Sequence, residues 1–188
     1  MALSGPRDGG TFTNVADGAG DVAWSDPSNA GASDDAYAIA IAIECLVGSG
    51  KTQLLQATNF GFTIPTGSTI DGIVAEIERK SLLGTVQTSD FSILIMKGGT
   101  AQGTNHAVAD VWPTTDAYKT YGSSSDKWGV TWTADDINAT GFGIQIKAFN
   151  PNCDIDTDNA YVDHVRITVH YTEPVVTSKK TLSILGTG

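Results

Sequence analysis

At 188 residues the chain has the length of one domain with tails, since domains run to roughly 100–200 residues, and its 40% hydrophobic content supplies a core. A formal charge of −10 with 11 Lys and Arg argues against binding DNA or RNA through phosphates, which takes clustered cations. With 17% charged residues and 21 glycines, the composition disfavours long salt-bridged helices and favours short strands between tight turns.

The opening Met1-Ala-Leu-Ser-Gly-Pro-Arg7 lacks a basic segment followed by an apolar one. No window approaches the roughly 18 apolar residues of a spanning helix, so the expectation is a chain that folds in a cytoplasm without a membrane. Residues 1–35 are rich in Gly, Ala, Ser, Asp and Asn, with Phe12, Val15, Val22 and Trp24 as anchors, and are expected as an extended arm or irregular edge strands that fold onto something else. From Tyr37 the pattern becomes period two: Ile39, Ile41 and Ile43 alternate with Ala38, Ala40 and Ala42, as in a buried strand.

A second strand is expected over Leu54–Ile64, closed by the turn Pro65-Thr-Gly67-Ser68. In Ile70–Lys80, Ile73, Ala75 and Ile77 share one face, while Val74, Glu76, Glu78 and Lys80 share the other, wetter one. Phe91–Met96 and Ala107–Trp112 read as strands stopped by Gly98-Gly99 and Pro113, and Tyr118–Tyr121 leads into a loop at Gly122–Asp126. Thr133-Ala-Asp-Asp136 has the form of a capping box with Asp in the Glu position, starting a helix of one or two turns before Gly141. Phe142, Ile144, Ile146 and Ala148, then Val165, Ile167, Val169 and Tyr171, form the apolar faces of two last strands, and Pro174 ends the second.

About eight short strands and almost no helix predict an all-β, antiparallel β-sandwich of jelly-roll or immunoglobulin-like type. The expected division is an arm at 1–35, the sandwich at 36–173 and a tail at 174–188. The tail's Leu182, Ile184 and Leu185 could pair with a neighbour but are too few to fold alone.

The residues offer little for catalysis. Gly48-Ser-Gly50-Lys51-Thr52 resembles the end of a phosphate loop, but Cys45 stands where its first glycine belongs and a strand follows, so a hairpin turn is expected. Cys45 and Cys153 have no metal-ligand spacing and read as free thiols. His106, His164 and His170 are scattered, Glu76 and Glu78 read as solvated acids, and Asp163 and His164 are neighbours on a strand that point to opposite faces. No catalytic residue is expected, and no cofactor, with a structural Ca²⁺ as the one exception to weigh. Asp154, Asp156 and Asp158 could gather hard oxygens around such an ion, against the preferred reading of a solvated loop of turn formers. Trp112, Trp128 and Trp132 with Tyr118 and Tyr121 could form a stacking platform for sugars, against the preferred reading that they seal the ends of the core.

Several runs together carry a family resemblance: Ala57-Thr-Asn-Phe60-Gly-Phe62-Thr-Ile64-Pro65 before Ile70–Arg79, Trp112-Pro-Thr-Thr-Asp116, Ser125–Asn138, Gly141-Phe-Gly143-Ile, and Val162–Tyr171. They resemble a β-sandwich module of tailed-phage structural proteins over roughly residues 37–172, both tails excluded. The resemblance implies a non-enzymatic virion protein assembled in the host cytoplasm, one that decorates or stabilises a capsid. Its implied partners are the major capsid protein and its own copies, as a homo-oligomer, with the terminal segments ordering on contact. The other role open to such a module is glycan or receptor binding on a fibre or tail.

Overall fold

A computed structural model of the protein describes residues 1–43, 50–83, 88–151 and 158–175. Among them are eleven strands: β1 (Ala2–Asp8), β2 (Thr11–Val15), β3 (Trp24–Ser25), β4 (Ala38–Ile43), β5 (Leu54–Thr58), β6 (Thr69–Ser81), β7 (Ser89–Lys97), β8 (Thr100–Gln102), β9 (Ala117–Ser123), β10 (Gly143–Phe149) and β11 (Asp158–Thr172). One short helix, α1 (Ala134–Asn138), and a 3₁₀ turn (Pro27–Ala30) complete the elements. The strands form two antiparallel sheets, ordered β3-β4-β11-β6-β9 with β1 added to β11, and β2-β5-β10-β7-β8. The protein is an antiparallel β-sandwich.

The alternation read from the sequence sets the core. Ile73, Ala75 and Ile77 of β6 and Val165, Ile167 and Val169 of β11 face Leu55 of β5, Ile93 and Ile95 of β7, and Ile144 and Ile146 of β10, all fully buried. Each large aliphatic among them contributes about 1.5–3 kcal/mol relative to exposure. Local chemistry fixes the turns. Ser68 N donates to Pro65 O at 3.1 Å with Gly67 at φ 84°, and Gly98 and Gly99, at φ 60° and 79°, supply the two left-handed positions of the β7–β8 hairpin. Helix α1 starts as expected, with Thr133 and Asp136 forming a reciprocal capping box.

Of the two readings of residues 1–35, an extended arm or edge strands, the pairing gives strands. β1 joins the six-stranded sheet on β11, β2 joins the five-stranded sheet on β5, and β3 pairs with β4. Backbone amides make these ladders, so few apolar anchors suffice; Trp24 is buried and its Nε1 donates to Gln53 O at 2.8 Å. The expected strand at 54–64 ends at Thr58, because Asn59 and Gly61 take left-handed φ of 59° and 63°; Phe60, Phe62 and Phe142 then pack as an aromatic cluster. Residues 107–112 are a loop, since the carboxylate of Asp90 takes the Val108 amide that a ladder would use. The segment expected to lead into a loop, Tyr118–Tyr121, lies in β9 on the edge of the six-stranded sheet, and β9 runs on through Ser123. In β4 the small face points inward: Ala38 and Ala40 are buried and Ile41 is 58% exposed, until Ala42 at φ 59° turns Ile43 into the core.

Candidate functional site

Of the five aromatics weighed as a sugar platform, four lie inside the sandwich, in line with the preferred reading that they pack the core, and the platform is not formed. Trp112, Trp128 and Trp132 are 1%, 0% and 7% exposed, and Tyr121 is buried, so none offers a free ring face. Tyr118 is half-buried on the outer face of β9, where its hydroxyl is 2.8 Å from His164 Nδ1. What organises Trp112 and Tyr121 is a buried ion pair with no local sequence signal, Arg79 of β6 with Asp90 of β7. Asp90 also accepts from Trp112 Nε1 (2.9 Å), Tyr121 Oη (2.9 Å) and Val108 N (3.1 Å), while the Arg79 guanidinium lies 4.7 Å from the Trp112 ring centroid. With so many donors on both oxygens, this centre is structural. Burial pushes the Tyr121 phenol far above its ordinary range, which keeps it a donor.

The acidic segment falls partly outside the described residues: Asp154 and Asp156 lie there, as do Cys45, Cys153, Leu182, Ile184 and Leu185. Asp158 is described, fully buried, and already committed. Its Oδ1 accepts from Leu82 N, Leu83 N and Asn159 N at 2.8–3.0 Å, and its Oδ2 from Thr88 Oγ1 at 2.6 Å. Thr52, the last residue of the phosphate-loop look-alike, is buried with its hydroxyl accepting from Ala148 N, and strand β5 follows. Glu76 forms a two-point pair with Arg166 at 2.9 and 3.2 Å. His164 bridges Tyr118 and Asp8, whereas Asp163 takes the Asp35 amide at 3.4 Å. Among the described residues, no three His, Cys, Asp or Glu side chains stand together at metal-ligand spacing.

An open cleft of about 740 Å³ lies at one end of the sandwich, where the β7–β8 hairpin faces the loop leading into α1. Glycines build its walls. Gly103, at φ 82°, lies so close to Trp128 O that a Cβ there would collide with it, and a Cβ at Gly129 would sit 2.7 Å from Thr104 Oγ1. Thr104 N donates to Trp128 O at 2.9 Å, and the His106 ring stacks on Trp128 at 4.0 Å while its Nε2 lies 2.6 Å from Asp126 Oδ2. Trp128 itself is held at φ 58°, a strained position for a bulky residue, with its amide donating to Asp126 Oδ1 at 2.7 Å. Burial works to raise the Asp126 carboxyl, but His106 and the Trp128 amide hold it below the ordinary carboxylate value.

The cleft's polar groups are few and distinct. Lys97 Nζ is fixed between Asp136 Oδ2 and Thr131 O, both at 2.9 Å. Burial opposes ionisation of Asp136, yet Lys97 and the Thr133 amide and hydroxyl hold its carboxyl below the ordinary value. Asp135 presents an exposed carboxylate, and Gln102 an exposed amide whose Nε2 reaches Lys97 O at 3.4 Å. The sequence marked Gly98-Gly99 as a strand end and Thr133 as a helix cap without marking a cleft, and nothing local ties Gln102 to Asp135; only the fold brings them together.

No protein-family model and no curated protein sequence matches the chain. Among solved structures, it is similar to one described as "CBM4 structure and function", at 12% identity over 72% of this chain and 85% of that one, with a TM-score of 0.39. It is also similar to CBM35 from Paenibacillus barcinonensis (11% identity, 93% and 100% covered, TM-score 0.34). A third is the second N-terminal cellulose-binding domain of the Cellulomonas fimi β-1,4-glucanase C (12% identity, 74% and 90% covered, TM-score 0.34). At this identity and at TM-scores of 0.39 and below, these likenesses carry no weight for function.

Proposed function

We propose that the chain is a non-catalytic glycan-binding module and that the cleft between the β7–β8 hairpin and α1 takes a segment of neutral polysaccharide. The observation that carries this reading is the make-up of the cleft: an exposed carboxylate (Asp135), an amide (Gln102), a hydroxyl (Thr131) and a fixed ion pair (Lys97–Asp136) around walls of glycine backbone. Carboxylates and amides suit vicinal hydroxyls because they accept or donate in pairs, and at Gly98 no side chain occupies the open space that a Cβ would enter. Of the two carboxylates in the cleft, Asp136 is tied up by Lys97 and the Thr133 cap, which leaves Asp135 without a free acidic partner and favours binding over glycoside cleavage. The test is affinity electrophoresis and calorimetry on a panel of soluble polysaccharides, with Asp135→Ala and Gln102→Ala as variants. Removing a hydrogen bond to a charged group weakens binding at least about tenfold. Saturable binding that falls by that much in Asp135→Ala, with an unchanged melting temperature, supports the reading. Absence of binding across the panel removes it.

A second reading, decoration of a phage capsid, is favoured by the outer face of the five-stranded sheet. Thr13, Gln56, Gln145 and Leu94 form one uncharged row across four strands, in which Thr13 is exposed and Gln56 and Leu94 are half-buried, a composition suited to burial against protein. Lys147, the charge on that face, is neutralised by Asp17 and Asp21 at 2.6 Å each. The bound N-terminal strands remove one of the two free segments on which ordering by contact depended. Mass spectrometry of gradient-purified particles decides: a copy number near that of the major capsid protein supports this reading, and absence from particles ends it.

A further inference from the structure

The outer face of the six-stranded sheet holds three carboxylates that the glycan reading does not use. Each has one buried oxygen without a hydrogen-bond partner: Asp163 Oδ1, Glu78 Oε2 and Asp116 Oδ1. Their nearness follows from the register. Glu78 pairs with His164 across β6 and β11, Asp163 sits at the irregularity between Val162 and His164, and Asp116 immediately precedes Ala117, which pairs with Arg79 next to Glu78. Asp163 is 1% exposed, and its Oδ2 accepts one long bond, 3.4 Å, from Asp35 N. Burial, the largest cause, pushes its carboxyl above the ordinary range against the pull of the Asp35 and Asp34 amides, and the charges of Glu78 and Asp116 add to the rise. The neighbouring cations are spoken for: Lys80 Nζ holds Asp116 Oδ2 (3.0 Å) and Tyr37 Oη (2.6 Å), and Arg166 holds Glu76. His164 is engaged by Tyr118 and Asp8, and Asp34 and Asp35 on the covering loop add further negative charge.

Leaving a buried carboxylate oxygen unpaired is costly, and three together cost more because their charges repel. A single shared proton bridges two oxygens and leaves the third. A divalent cation serves all three, and its charge matches the site: three carboxylates less the one balanced by Lys80 leave about two negative charges. We propose that this group of carboxylates at the β6–β11 irregularity binds a hard divalent cation, Ca²⁺ by preference, because Ca²⁺ accepts irregular oxygen coordination where Mg²⁺ demands an octahedron. The three side chains do not yet converge at ligand spacing, so they close onto the ion by rotating about their own χ angles, with water or loop carbonyls completing its shell. The ion then ties the loop at residues 31–36 to the sheet.

The experiment uses the full chain stripped with chelator, then titrated with CaCl₂ and, separately, MgCl₂, reading melting temperature, and with Tb³⁺, reading luminescence sensitised by the surrounding tyrosines. Asp163→Asn and Glu78→Gln are the variants, with circular dichroism confirming that each is folded, and Asp154→Asn/Asp156→Asn is the control for the acidic loop. The expected result is a Ca²⁺-dependent rise in melting temperature with Tb³⁺ emission, both weakened at least about tenfold in apparent affinity by either variant and retained in the control. A chain indifferent to millimolar Ca²⁺ overturns the proposal. So does an ion response lost in the control and kept in Asp163→Asn, which assigns the ion to the acidic loop.

Discussion

Two regions of this sandwich bury an aspartate and treat it in opposite ways. Between the sheets, Asp90 meets Arg79, Trp112, Tyr121 and the Val108 amide, so both oxygens are occupied. On the outer face, Asp163 is as well hidden from solvent but has one long bond and an oxygen with nothing opposite it. The residue type and the burial are the same; the supply of donors differs. Saturation marks a carboxylate that the fold has consumed, and its absence marks one still open to a cation or a proton.

The sharpest way to break that contrast is at the saturated end. Asp90→Ala leaves the Arg79 guanidinium buried without its counter-charge and frees two aromatic donors in the core. The expected loss is about 3–5 kcal/mol, measured by urea unfolding at neutral pH. A loss below about 1 kcal/mol, the level of an exposed pair, means that the Arg79–Asp90 centre is wet and the contrast is not one of saturation. Asp158→Ala is the intermediate case. It strands the amides of Leu83 and Asn159 and the Thr88 hydroxyl, while Leu82 N keeps its bond to Asn159 O at 3.1 Å, for an expected loss of about 1–3 kcal/mol. Because those donors already use both oxygens of Asp158, its variant should leave any Ca²⁺ response at Asp163 in place, which the same melting titration reads.

The parts of this contrast were unequally legible in the sequence. Period-two alternation found β6, β10 and β11 and hence the inner faces, and the Thr133–Asp136 spacing found the helix start, because both signals are local. For β1, β2 and β3 the sequence left edge strands open but not their partners, since backbone amides pair whatever side chains they carry. Ala107–Trp112 looked like a strand because it is apolar, yet the Val108 amide goes to Asp90, a partner 18 residues earlier in the chain. The tryptophans announced packing or stacking without saying which; burial decided it. Asp163 looked ordinary because its neighbours Glu78, Asp116 and Asp35 come from three distant segments, and the irregularity that hides it belongs to the pairing of β11 with β6.

At the unsaturated end the expected effect is smallest and has the opposite sign. Asp163→Asn in chelator-treated protein keeps an acceptor for Asp35 N, removes a charge from beside Glu78 and Asp116, and supplies an amide N–H to one of their unpaired oxygens. A gain of about 1 kcal/mol is expected, the value of one buried hydrogen bond. The pH dependence gives the sign independently. Burial and its acidic neighbours raise the folded carboxyl of Asp163 above its unfolded value, so the native state holds the extra proton in that interval. Stability contributed by that proton is present below the unfolded value and is lost as pH rises through the raised folded one. Metal-free wild-type protein should therefore lose melting temperature relative to Asp163→Asn across that window, with the two converging at lower pH. If the two proteins melt in parallel at every pH, the oxygen left open at Asp163 exerts no strain, and the distinction between it and Asp90 reduces to hydrogen-bond count alone.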